Sequence, residues 1–368
     1  MNNNGKEIKL PFYAKASIIL IGLYAFVYIL YLAQGIILPL IFAAIAASLL
    51  HPVVNKLIQW RMNRVFAIVL TITMAILVFA GIALFLFSKT GMLSESVPKL
   101  IDKLADVVNQ ATTYASGHFD ISEKKINNWV EKTRGEMLNT SSAFIGKTII
   151  GVGSGLILLL LIPVYIFMIL FYHPLVLEFF SRLFGADRRV EVHGIISDIK
   201  MLIQRYLVGL MMETGIIAIL FTTGLLILGI DYAIFFGVLG AFLNLIPYVG
   251  AWIAAALPML VAVATKPSLW YALLVMGVYI VVQFIDNNII VPRIVASQVR
   301  INALVSIFVV IAFSALWGIP GMFLSIPLTA IVKLIFEHIE QLKPWGYLLG
   351  DDMPVVDTPK PRVKKETP

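Results

Sequence analysis

The sequence predicts an all-α polytopic membrane protein. It should have about eight membrane segments, including two Pro/Gly-broken hairpins in an inverted-repeat arrangement, and a helical extracytoplasmic segment. Three observations predict this. The first is composition: 60% of residues are hydrophobic and 13% charged, where a soluble globular chain carries about 25% charged residues. The second is run length. Tyr232 to Thr265 is uncharged over 34 residues, and Ile301 to Val332 over 32. One membrane-crossing helix takes about 20 residues and two take about 40, so neither run fits one span or two. The third is what interrupts them: Pro247, Gly250 and Pro258 in the first run, and Pro320, Gly321 and Pro327 in the second. A broken backbone at membrane depth persists only where it is buried in protein or faces a watery cavity. Paired breaks in corresponding positions point to a transporter built from repeats. The plainer reading of the same residues is two kinked helical pairs packed through small side chains.

Other classes are excluded early. The net charge of +7 comes from basic residues near span ends, as membrane topology requires, so nucleic acid is not an expected partner. There are no cysteines, hence no disulfide and no thiolate metal site. The chain holds neither His-Glu-x-x-His nor Gly-x-Ser-x-Gly, and His51, His118, His173, His193 and His338 are scattered outside the apolar spans. No catalytic residue, metal or cofactor is expected. Gly146-Lys147-Thr148 imitates the end of a phosphate-binding loop, but Ser141 stands where the first glycine belongs.

The elements follow in order. Residues 1–88 form the amino-terminal membrane part. A polar stretch with Lys6, Lys9 and Lys15 precedes the first span, Ala16 to Ala33, and positive flanks favour the cytoplasm. Gln34-Gly35 is read as a tight break, Ile36 to Leu50 as a short return, and Val65 to Phe87 as the next crossing. Residues 89–147 are the extracytoplasmic segment. In it Val97, Leu100, Ile101, Leu104, Val107, Val108 and Ala111 recur at helical spacing. Residues 148–172 are the fourth span. Residues 173–205 are read as amphipathic cytoplasmic or interfacial helices, with Val192, Ile195, Ile196, Ile199, Leu202 and Ile203 as the apolar stripe. Residues 206–342 form a transport core holding the broken hairpins 232–265 and 301–332, which enter from opposite sides. Residues 343–368 are expected to be a disordered cytoplasmic tail.

Two acids stand out within the apolar core. Glu213 lies seven residues beyond Tyr206, about 10 Å along a helix. It is either a proton or cation site or a side chain reaching back to the inner surface. Asp286 sits in Gln283-Phe-Ile-Asp286-Asn287-Asn288 before Pro292. Its carboxylate and the neighbouring amides offer oxygen ligands for a cation and donors for a polar solute. Asn244, beside the first break, can reach the same cavity. The candidate substrate or ion site is therefore Glu213, Asn244, Gln283, Asp286, Asn287 and Asn288.

These residues also carry a family resemblance. Gly240-Ala-Phe-Leu-Asn-Leu-Ile-Pro-Tyr-Val-Gly250, Asp286-Asn-Asn-Ile-Ile-Val-Pro292 and Gly318-Ile-Pro-Gly-Met-Phe-Leu-Ser-Ile-Pro327 resemble three signatures of the autoinducer-2 exporter (AI-2E) family of permeases. The likeness spans Ala16 to about Leu342. The chain has Ala251 where the family usually has proline, Ala296 where it often has glycine, and Ala303 where it often has proline. It has Asp286 where the family more often has glutamate. The resemblance implies a homo-oligomeric transporter of the bacterial inner membrane, and the positive flanks and the count of crossings place both termini in the cytoplasm. Its cargo would be a small polar solute such as autoinducer-2, with Na+ or H+ as coupling ion. The rival readings are a Na+(Li+)/H+ antiporter on the same fold and a non-transporting scaffold acting through residues 89–147.

Overall fold

The computed structural model describes residues 11–88, 103, 161–179, 181–183, 189–247, 249–296 and 299–351. The expected extracytoplasmic helices, the start of the fourth span and the far tail lie outside them. Among the described residues there are helices and no strands, with one isolated bridge between Ile301 and Gly350. The helices are α1 (Phe12–Leu32), α2 (Gln34–Gln59), α3 (Arg64–Ser88) and α4 (Leu161–Leu183), then α5 (Arg189–Ile227), α6 (Ala233–Asn244), α7 (Val249–Thr265) and α8 (Trp270–Ile285). A π-helical segment, Asp286–Ala296, continues α8, and α9 (Ala303–His338) and α10 (Lys343–Leu349) follow. Among the described residues seven helical stretches, one of them α8 together with its π continuation to Val295, are long and apolar enough to cross a membrane, while α6 and α7 are shorter apolar helices.

The two broken runs are hairpins. Pro247 has no N–H to give the carbonyl of Leu243, four residues back. That carbonyl instead accepts from Ile246 at 2.9 Å, and the chain turns. α6 has 12 residues and rises about 18 Å, short of the roughly 30 Å hydrocarbon core. α7 then returns. The ammonium of Lys266, after α7, lies 3.9 Å from the carboxylate of Asp231, before α6. Both ends of this hairpin therefore meet at one end of the bundle. In the second hairpin the break is Gly318, at φ 64° and ψ −142°, a conformation open to glycine alone. The returning arm ends at His338, whose Nε2 is 3.7 Å from Asp198 on the first part of α5. Asp198 and Asp231 are separated by roughly 40 Å of helix. The hairpins enter from opposite ends, which is the inverted arrangement the sequence predicts.

A polar clasp closes the base of the second hairpin. Asn302 accepts from Val305 N–H at 2.8 Å as the N-cap of α9, and its amide donates to the carbonyls of Leu348 at 2.7 Å and Gly350 at 2.9 Å. Asn302→Ala removes the cap and strands two carbonyls. It should lower stability by about 2 kcal/mol, read as a fall in the unfolding midpoint of the detergent-solubilised protein.

Three differences from the sequence reading follow from local chemistry. Nothing between Arg189 and Ile227 breaks a helix, so the expected interfacial helix and fifth span are one rod of 39 residues. Its stripe faces protein rather than lipid: Ile199, Leu202, Ile203 and Leu207 pack with Ile45, Val295 and Trp317. α5 stops in a Schellman turn, with Gly229 at φ 64°, Gly229 N–H on Leu226 and Ile230 N–H on Leu225. The short return expected at Ile36–Leu50 is a helix of 26 residues that passes through Pro39 and Pro52, and the break before it is at Ala33. The start of the expected disordered tail is α10, packed back beside Asn302.

Candidate functional site

A cavity of about 750 Å³ opens between α5, the first break, α8 with its π segment, and the base of α9. Three elements present one polar face each. On α5, Tyr206, Leu210 and Glu213 recur at helical spacing toward it. The break brings Asn244 and Pro247. α8 contributes Met276, Tyr279 and Gln283, and the helix then widens into the π register at Asp286. Pro292 lies inside that register, which runs for 11 residues where π geometry in proteins is mostly confined to single turns. Gly209 lets the wide segment sit close to α5: a Cβ there would meet the Ile294 carbonyl oxygen at 2.8 Å.

Asn244 is the junction of the polar groups. Its Nδ2 donates to Asp286 Oδ2 at 3.0 Å and to Glu213 Oε1 at 3.4 Å. Gln283 Nε2 lies 3.5 Å from both Asp286 Oδ2 and Asn287 Oδ1. Asp286 is 1% exposed and Glu213 6%, so Glu213 turns inward rather than back to the surface. Asn287 and Asn288 are exposed at the edge of the cavity, and Asn288 returns its amide to the Phe284 carbonyl at 2.8 Å. All six candidate residues line the same cavity.

Among the described residues, two buried side-chain polar atoms have no partner, Asp286 Oδ1 and the hydroxyl of Tyr279. A buried polar atom without a hydrogen bond costs about 1–3 kcal/mol, and both residues face the cavity. Tyr279 is held in place by Phe221, with ring centroids 4.1 Å apart. The sequence reading missed Tyr206 and Tyr279, because a tyrosine in an apolar helix carries no sign of which face it takes. Tyr279→Phe keeps the stacked ring and deletes the orphaned hydroxyl. Without solute the variant should be as stable as the wild type or more stable by up to about 2 kcal/mol, read as an equal or higher melting temperature.

The second break does not reach the cavity. Pro320, Gly321 and Pro327 are absent from its wall, to which the second hairpin gives Ile301, Ser306 and Ile326. The indole of Trp317 donates instead to the Leu30 carbonyl at 3.1 Å. Ala33, where the α1 helix is interrupted, bonds the carbonyls of Ile29 and Tyr31, and the indole takes the carbonyl between them. In the first hairpin Pro258 is buried in the packing of α7, away from the cavity, and Gly250 packs against the opposite arm. Among the described residues no group of three or more His, Cys, Asp or Glu has metal-site geometry.

Comparison with known proteins places these motifs in one family. The model described as AI-2E family transporter matches residues 18–341. The AI-2 transport protein TqsA of Escherichia coli (strain K12) is 27% identical over 323 residues, covering 87% of this chain and 90% of that protein. The Bacillus subtilis (strain 168) protein named "Putative transport protein YueF" is 26% identical over 325 residues, covering 83% and 84%.

Proposed function

The chain belongs to the AI-2E family of multi-pass membrane transporters, and from that premise we propose that it exports a small polar solute by alternating access through the cavity at Asp286. One observation carries the proposal: a cavity among the helices holds two buried polar atoms, Asp286 Oδ1 and Tyr279 OH, that nothing among the described residues satisfies. A solute with hydroxyl or carbonyl groups supplies both missing partners. The name of the E. coli relative suggests AI-2 as the first solute to try. The membrane is the bacterial inner membrane with both termini in the cytoplasm. The working unit is a homo-oligomer, and α1, none of whose residues is buried, is free to meet lipid or a second copy. Rocking of the first hairpin against α5 opens the cavity to one side at a time, with Asn244 as the moving contact.

A second reading is favoured by a specific feature. Glu213 and Asp286 share the single amide of Asn244, and a proton or Na+ on either carboxyl alters how that amide is divided. Cation exchange for protons, alone or coupled to solute, follows from the same arrangement. Flux measurements in proteoliposomes separate the readings. AI-2 efflux that is lost in Asp286→Asn supports export. Sodium-driven recovery of a pH dye without solute, lost in Glu213→Gln, supports antiport. Failure of every solute and ion to move would overturn both and favour a non-transporting role.

A further inference from the structure

Away from the cavity, two His-Pro dipeptides come together at the end of the bundle where α5 begins, His51-Pro52 in α2 and His173-Pro174 in α4. Each proline is inside a helix and withholds the N–H that the carbonyl four residues earlier needs. In α4 that carbonyl belongs to Leu170. Arg64 Nη2 donates to it at 2.9 Å and to the Phe171 carbonyl at 2.9 Å, with the guanidinium 5.8 Å from the Phe171 ring centroid. The carbonyl freed by the proline thus fixes an arginine from α3. The rings of His51 and His173 lie 5.0 Å apart. Lys200 of α5 brings its ammonium within 3.4 Å of His51 Nε2, and the Asn55 amide meets His51 Nδ1 at 3.0 Å.

Four groups that carry or accept positive charge therefore converge from α2, α3, α4 and α5, and all four are half-buried. Among the described residues, no carboxylate pairs with any of them. The acids nearby are engaged elsewhere, Asp198 with His338 at 3.7 Å and Glu178 with Arg182 at 3.0 Å. Cations gathered in a half-buried site repel more strongly than in water. An anion relieves that repulsion: Lys200 and Arg64 keep N–H donors beyond those spent on His51 Nε2 and on the Leu170 and Phe171 carbonyls, and an imidazole protonated beside the anion adds another. A phosphate, with negative charge on oxygens pointing several ways, matches such a set.

We propose that His51, His173, Lys200 and Arg64 form a phosphate-binding site, occupied by the headgroup of an anionic phospholipid or by a free phosphate. Its position has a mechanical consequence. Lys200 is six residues, about 9 Å of helix, before Tyr206, the first α5 residue in the cavity wall. A phosphate held here ties the packed unit of α2, α3 and α4 to the helix that carries Glu213.

The test uses the full-length protein, delipidated in detergent. Native mass spectrometry compares retention of phosphatidylglycerol with phosphatidylcholine, and thermal melting follows a titration with inorganic phosphate. The wild type should retain phosphatidylglycerol about tenfold better than phosphatidylcholine, or be stabilised by inorganic phosphate. The first result assigns the site to lipid and the second to free phosphate. Either response should vanish in Lys200→Met and survive in Lys56→Met, which removes an exposed lysine on the same helix end as His51. If Lys200→Met does not fold, His173→Gln takes its place. Absence of both responses in the wild type overturns the proposal. So does an equal response in Lys200→Met, or an equal loss in Lys56→Met, which would mark diffuse surface charge.

Discussion

Gly250→Ala should abolish the well-folded protein, and Gly321→Ala should do the same by an equivalent clash in the other hairpin. A Cβ at Gly250 would stand 1.7 Å from the carbonyl oxygen of Leu243, and one at Gly321 would stand 2.0 Å from that of Phe313. Both obstacles are backbone atoms of the opposite arm, and neither can rotate away. In each hairpin the returning arm presses against the outgoing one at a carbonyl near the break, and only glycine leaves room. Separating the arms to admit a methyl group would lose the close packing that holds short helices together in lipid. The cost should be about 3 kcal/mol or more for each substitution. The checks are yield and elution profile after detergent extraction, with Gly277→Ala as the control, since nothing lies within 4 Å of a Cβ there. A monodisperse Gly250→Ala protein with a wild-type melting temperature would show that the arms do not meet as described.

This symmetry was half legible in the sequence. Pro247, Gly250, Pro320 and Gly321 interrupt uncharged runs of unsuitable length, so length and backbone chemistry together predict hairpins. What the two breaks do could not be read the same way. The first lines the cavity and the second docks on the α1–α2 junction through the Trp317 indole. That distinction rests on a contact between residues 287 apart in sequence, and no local pattern encodes it. The carboxyls were legible for a related reason: an acid among apolar residues must find a partner, so Glu213 and Asp286 announce themselves. The tyrosines were not, because their rings belong in apolar helices and only the hydroxyls matter here. The continuity of α5 was hidden by a change in composition at Tyr206. Amphipathic and wholly apolar stretches differ in what surrounds them, and both are helical.

Asp286→Asn should cut transport about a hundredfold while leaving the protein folded, the equivalent of about 3 kcal/mol. The substitution keeps the size of the side chain but can set an amide N–H against the Asn244 amide, where a carboxylate oxygen now accepts at 3.0 Å. It also changes the chemistry of the unpartnered oxygen that faces the cavity. Asp286→Glu keeps the charge, and the wide π register it begins gives the longer side chain room to adjust, so it should restore much of the flux. Glu213→Gln should act differently. Its oxygen is the more distant acceptor from Asn244, at 3.4 Å, and glutamine still offers an acceptor. Solute affinity should therefore change little while dependence on the driving ion is lost. Asn244→Ala releases both acids at once. Combined with Asp286→Asn, it should cost less than the sum of the two single losses, because the groups share one hydrogen bond. Strict additivity in that cycle, measured as initial flux in proteoliposomes, would mean that the amide does not link the two carboxyls during transport.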